Sequence, residues 1–298
     1  MDNKKVLAWS LLLLLATVWG SSFILMKLGL VAFSATQMAT LRIVIAALTL
    51  TPVLILRWGR LKDITRKQYL LMFLIGLAGN ALPAFLFAEA ETVIPSAIAG
   101  VLNSLNPLFV LIIAFAFFRK RFPFINVVGV LIGVTGAIIL ITAGTTDAVA
   151  LGDGAYLRYS LLVILATFNY ALSANILKHY FSNFDPVLLT TVALVSVGYP
   201  AIFYLLAGSG VPAVMETHPA AWSSLGYIAI LGAIGTAVAV ILFNRLLQIS
   251  SLVFATSVTY LIPIVALTWG ILDGENLVWQ QGLGFAVILS GVYLVNRK

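Results

Sequence analysis

The sequence predicts an all-α membrane protein with ten transmembrane helices, arranged as two inverted five-helix repeats. Three observations carry that expectation. The 298-residue chain is 62% hydrophobic and only 9% charged. It divides into apolar runs long enough to span a bilayer, and residues of its two halves match at a nearly constant offset. Soluble domains are nearer a quarter charged and about half apolar, so an ordinary soluble enzyme, a disordered chain and a nucleic-acid binder are excluded. Cysteine is absent, which removes a disulfide framework, a thiolate nucleophile and a cysteine metal site.

A helix needs about 20 mostly apolar residues to cross the hydrocarbon core. Such runs fall at 6–28, 37–56, 69–90, 94–118, 124–143, 159–177, 187–207, 222–244, 252–272 and 277–295. They do not alternate as the strands of a membrane barrel would. Only Lys27, Arg42 and Glu89 are charged within them. The first run follows Lys4 and Lys5 as a signal peptide would, but its apolar pattern resumes after Ser22 and the repeat requires it, so it is read as a retained span. Basic residues mark the cytoplasmic side of short loops. With the N-terminus inside, 14 of the 17 basic residues collect on the inner side, among them Arg57, Arg60, Lys62, Arg66, Lys67, Arg119, Lys120, Arg121 and Lys178. Glu91, Asp147, Asp153, Glu216, Asp273 and Glu275 then lie outside, and the C-terminus returns inside. The formal net charge of +7 needs no partner beyond anionic lipid head groups. Trp9, Trp58, Tyr69 and Tyr180 at one level, and Tyr156, Tyr159, Trp222, Trp269 and Trp279 at the other, read as interfacial belts. Trp19, Tyr170 and Tyr260 are mid-span, where a belt reading fails.

Leu-Ala-Thr occurs at 15–17 and again at 165–167. Ser22, Lys27 and Phe33 match Ser173, Lys178 and Phe184 at an offset of 151. Leu86-Phe87, Ala99, Leu105 and Pro107 match Leu242-Phe243, Ala255, Leu261 and Pro263 at an offset of 156. Gly129 and Gly136 match Gly284 and Gly291 at an offset of 155. Five spans per half is an odd number, so the second half enters the membrane upside down. The units are 1–146 and 147–298, joined by the polar segment around 144–156. Two such halves enclose one site near the midplane, which can be exposed to either side in turn.

The runs "AETVIPSAIAGVLNSLNPLFVLIIAF" and "LLQISSLVFATSVTYLIPIVALTWGILDGENLVWQQGLGFAVILSGVYLV" resemble the fourth-span and ninth-span signatures of the drug/metabolite transporter superfamily, EamA type. The start "LATVWGSSFILMK" with "ATLRIVIAALTL" resembles its first two spans. The resemblance covers essentially the whole chain, and within the superfamily the sequence is most similar to the YddG-type exporters of aromatic and other amino acids. It implies an inner (plasma) membrane transporter. One departure stands out. Members of the family often carry an acidic residue after the fourth span, as Glu275 follows the ninth here, but this chain has Arg119 and Lys120 in "FFRKRFPF".

Polar groups inside spans are costly and usually face a cavity or another helix. The third span aligns Asn80, Pro83 and Phe87 at helical spacing, and the eighth aligns Thr236 and Phe243; the fourth aligns Asn103 and Pro107, and the ninth reaches Pro263 beside Tyr260. Trp19, Tyr170 and Tyr260 offer flat apolar faces with one polar handle. Ser22, Asn80, Asn103, Asn169 and Thr236 could hydrogen-bond amino and carboxylate groups, with Phe87 and Phe243 as apolar walls. These ten residues form the expected substrate site; Pro83, Pro107 and Pro263 are expected hinges. Arg42 is expected to pair with Glu89 or Glu91, as a structural ion pair or as an outer gate. Lys27 is expected to snorkel towards the outer surface, and Gly129 with Gly133 forms a small-residue packing face, more naturally within the monomer than between chains.

His179 and His218 are expected in loops, so no metal, no cofactor and no enzymatic acid, base or nucleophile is expected within the spans. The favoured function is export of aromatic and other small amino acids by alternating access. The alternatives are export of other amphipathic metabolites or drugs, and a non-transporting membrane enzyme or scaffold. The cysteine-free chain makes its orientation directly measurable. With Lys62→Cys, a membrane-impermeant maleimide should label only permeabilised cells, whereas Glu216→Cys should be labelled in intact ones.

Overall fold

The computed structural model describes residues 3–119, 123–143, 154–256, 258–274 and 279–296, and every regular element among them is helical. The first half contains α1 (Asn3–Gly29), α2 (Ala35–Leu56), α3 (Arg66–Gly76), α4 (Leu82–Ala90), α5 (Ser96–Asn103), α6 (Asn106–Phe118) and α7 (Phe124–Ala143). The second contains α8 (Ala155–Tyr180), α9 (Pro186–Leu206), the short α10 (Val211–Thr217), α11 (Ala221–Ile230), α12 (Ala239–Ile249), α13 (Leu252–Thr256), α14 (Val258–Leu272) and α15 (Trp279–Asn296). Eight helical runs among the described residues are long and apolar enough to cross a membrane. The fifth and tenth expected spans coincide with α7 and α15, which pack along each other.

The ends of the helices follow their local sequences. Ser34 and Thr65 cap α2 and α3 through capping boxes closed by Gln37 and Gln68. Asp185 accepts from the amides of Val187 and Leu188 at the start of α9 and also pairs with Arg57 and Arg60. The hydroxyls of Thr40, Thr190, Thr191 and Thr167 donate to carbonyls one turn earlier on their own helices, which satisfies them where no water is at hand.

Three expected spans depart from a plain α-helix. Between α3 and α4, Leu77–Ala81 is a π-helical segment, in which the amide of Leu82 reaches back to Leu77. Its cause is local, because Pro83 lacks an N–H and disfavours continuation of the α ladder. A second π segment, Leu231–Val238, joins α11 to α12, and the Thr236 hydroxyl takes up the carbonyl of Leu231 at 3.0 Å. The expected fourth span is broken at Ser104 and Leu105, which close tighter bonds to Val101 and Leu102. Pro107 has no N–H to offer the Asn103 carbonyl, so the ladder cannot pass through. Pro263 behaves otherwise and sits inside a continuous α14. His179 lies in the last turn of α8 rather than in a loop, because the helix outlasts its apolar stretch.

The packing between the halves comes in matched pairs. Helix α1 lies against α14, and α8 lies against α5 and α6; α1 also meets α11, α12 and the segment between them, as α8 meets α3, α4 and theirs. Helix α2 packs on α9. Glycines set the closest approaches. A Cβ on Gly76 would collide with the backbone of Ala193, and one on Gly232 with the backbone of Arg42; one on Gly198 would meet the Ala47 side chain, and one on Gly291 the backbone of Gly129 and Gly133.

Lys27 and Lys178 hold opposite ends of this assembly. Lys27 pairs with Asp273 at 2.5 Å at the far end of α1, and both are partly exposed, at 43% and 33%. Lys178 donates to the carbonyls of Leu247 and Ser250 at 2.6 and 2.8 Å, closing the end of α12. Gly76→Val should lower thermal stability in detergent by about 1–3 kcal/mol through overpacking. Gly226→Ala, where the new methyl meets nothing within 4 Å, should raise stability slightly through helix propensity.

Candidate central cavity

The two π segments, the broken helix and the middles of α1 and α8 face one another around a cavity of about 110 Å³. The elements explain its polarity. A π turn carries one residue more than the regular ladder, and Asn80 and Thr236 lie within the two π segments and line the cavity. The break in the fourth span places Asn103 at the end of α5 and Asn106 at the start of α6, and both face the cavity.

Eight of the ten expected substrate residues line it: Trp19, Ser22, Asn80, Phe87, Asn103, Tyr170, Thr236 and Phe243. The aromatic ones form two edges. Trp19 meets Phe243 with ring centroids 5.1 Å apart, and its indole N–H donates to the Gly235 carbonyl at 3.0 Å. Phe87 stacks on Tyr170 at 6.0 Å and meets Phe23 edge-on at 5.8 Å. The small residues match in the same way, with Ser22 against Gly235 and Ser173 against Gly79. Asn103 accepts from Thr167 at 3.4 Å.

Asn169 and Tyr260 do not reach the cavity. Neighbours on a helix point about 100° apart, so Asn169 cannot share a direction with Tyr170, and its amide donates to the Leu165 carbonyl at 2.8 Å. Tyr260 follows the lining residue Thr259 and instead packs against the surrounding apolar core.

The expected pairing of Arg42 with a glutamate needs a similar correction. Among the described residues no contact within 4 Å joins Arg42 to Glu89 or Glu91. Glu89 is exposed, and Glu91 accepts from Ser96 at 3.1 Å. Arg42 turns inward, lines the cavity and donates through Nε to the Thr236 hydroxyl at 2.9 Å. Its Nη1 faces the Met26 sulfur at 3.6 Å, and the Tyr170 hydroxyl neighbours the guanidinium. Glu91 acts on it only through its more distant charge. The physical reason is that Thr236, from the other half, meets the guanidinium at the level of a π turn, whereas the glutamates sit at the end of α4.

Sequence reasoning also missed Asn106, Ser173 and Asn244, all of which line the cavity. Ser173 was within reach, since the repeat pairs it with Ser22. Asn244 donates to Thr190 at 2.7 Å. No group of three or more potential metal ligands occurs among the described residues.

The sequence profile of the EamA-like transporter family matches residues 7–142 and again 157–297. This chain belongs to the EamA-like transporter family. It is a multi-pass membrane transporter, and the polar cavity belongs to that context. Relatives agree in kind. An uncharacterised transporter of Archaeoglobus fulgidus is 28% identical over 97% of this chain and 99% of its own length. The uncharacterised inner membrane transporter YedA of Escherichia coli is 28% identical over 93% and 87%. A protein of Streptantibioticus cattleyicolor, named a "probable terminal-alkyne amino-acid exporter", is 23% identical over 97% and 93%. A crystal structure at 14% identity superposes with a TM-score of 0.64 over 99% of this chain and 97% of that one, which is a likeness of fold alone.

Thr236→Val is close in shape but removes both the acceptor of the buried Arg42 Nε and the donor to the Leu231 carbonyl. It should cost about 1–3 kcal/mol, read as a lowered unfolding midpoint, while Thr268→Val on the exposed part of α14 should change little.

Proposed function

We propose that this EamA-family chain exports aromatic and other small amino acids across the inner membrane, as a monomer working by alternating access. In this reading ten spans form the inverted units 1–146 and 147–298, both termini are cytoplasmic, and the central cavity is the substrate site. The observation that carries the reading is the cavity wall. Two aromatic edges, Trp19–Phe243 and Phe87–Tyr170, stand at positions related by the repeat and flank the polar groups of Asn80, Asn103 and Thr236. Such a wall suits a molecule with a flat or aliphatic side chain at one end and hydrogen-bonding groups at the other. The matched contacts between halves support the two-fold arrangement, and the printed name of the Streptantibioticus relative points to amino acids among possible cargoes.

The irregular backbone gives the motion its pivots. The two π segments and the break before Pro107 lie level with the cavity, so the outer and inner parts of the same spans can tilt about them. Pro83 and Pro107 act there as hinges, while Pro263 bends a continuous helix. Arg42 beside Thr236 contributes to closing the outer part of the cavity.

Purified protein in liposomes should carry labelled phenylalanine and tryptophan in a saturable way. Trp19→Ala, which removes one aromatic edge, should lower their flux by roughly tenfold and alanine flux much less. Tyr260→Ala should leave the profile unchanged. Flux of amphipathic cations without any amino-acid flux would replace this reading by drug export.

A further inference from the structure

We propose that Arg42 is the anion anchor of the cavity, taking the carboxylate of the transported molecule, so that cargo must carry a carboxylate. The inference rests on the transport reading above and sharpens its substrate class. Arg42 is only 8% exposed and lies roughly 10 Å from the start of an apolar helix. Arginine keeps its charge under all ordinary conditions, and a buried charge is tolerated where it is paired or faces a functional cavity. The groups nearest this guanidinium are neutral, the hydrogen-bonded Thr236 hydroxyl and Met26 thioether with the Tyr170 hydroxyl beside them, and the Glu91 carboxylate stands beyond hydrogen-bond reach. Three neutral partners leave a five-donor fork incompletely used, and that fork matches the two oxygens of a carboxylate.

The repeat supplies an independent argument. Gly232 packs on the backbone of Arg42, and its counterpart Gly76 packs on the backbone of Ala193. The same helix crossing is therefore built with alanine in one half and arginine in the other. Packing needs only the alanine, so the arginine is present for its charge. Opposite chemistry is available in the same cavity. The Asn106 Oδ1 is buried, in a side chain only 6% exposed, and accepts no hydrogen bond, and the Asn103 carbonyl has lost its helical donor to Pro107. Both are acceptors suited to an ammonium group. The cavity thus has a cationic site for one end of a zwitterion and neutral acceptors for the other.

Binding to the purified full-length protein in detergent can be compared for phenylalanine, 3-phenylpropionate, phenylalaninamide and 2-phenylethylamine. Phenylalanine and 3-phenylpropionate should bind at least tenfold more tightly than the amide and the amine. Arg42→Gln, checked for a monodisperse folded state, should weaken phenylalanine at least tenfold and abolish the preference for the acid over the amide, and Arg42→Lys should restore part of that preference. Equal binding of phenylalanine and its amide by the unmodified protein would overturn the anchor, whatever the variants do. If 3-phenylpropionate binds through Arg42 while phenylalanine does not, the anchor stands and the amino-acid reading falls. If none of the four binds, both fall.

Discussion

Inside hydrocarbon, every backbone and side-chain polar group must find its partner within the protein, and most features of this chain answer to that constraint. Threonine and serine hydroxyls return to carbonyls on their own helices. Asn175 bridges two helices through the carbonyls of Ala171 and Val110, and Asn244 reaches Thr190. Where the helical ladder fails, at the two π segments and before Pro107, side chains such as Thr236 take over some of the freed groups. One buried acceptor beside the break, the Asn106 Oδ1, stays without a donor and belongs to a residue that lines the central cavity. The cavity and the interruptions of the helices are thus two sides of one arrangement.

Close helix approach makes that arrangement rigid enough to be specific. Gly76, Gly198, Gly232 and Gly291 each stand where a side chain would strike a neighbouring helix, so the two halves meet backbone to backbone. Van der Waals contact is the main cohesive force available in lipid, since apolar burial is not favoured over the bilayer itself. The pairs recur across the halves, and they frame the site with the same skeleton on either side while the side chains differ. The family profile matches the two halves separately, which accounts for the shared skeleton.

Much of the skeleton was legible in the residues. Apolar runs of spanning length gave α1, α2, α8 and α9 within a few residues, because hydropathy alone decides what enters lipid. Eight cavity residues were legible because polar and aromatic groups at mid-span have few other places to go. The errors have equally physical origins. Hydropathy does not register one extra residue in a helical turn, so the π segments were invisible although Pro83 hinted at the first. Depth along a span places Asn169 and Tyr260 level with the cavity but does not give the direction in which they point. Depth brings Arg42 near the glutamates, but its hydroxyl partner is 194 residues away in the chain, a distance that no local pattern bridges.

The two corresponding lysines hold their ends of the molecule by unlike chemistry. Lys27 is tied to a carboxylate that water reaches, and such an attraction fades as ionic strength rises. Lys178 is tied to two backbone carbonyls in a partly buried setting, where counterions have little access. Salt in the medium bathing the Lys27 end therefore weakens the Lys27–Asp273 attraction, whereas charge–dipole bonds such as those from Lys178 to Leu247 and Ser250 respond to it less.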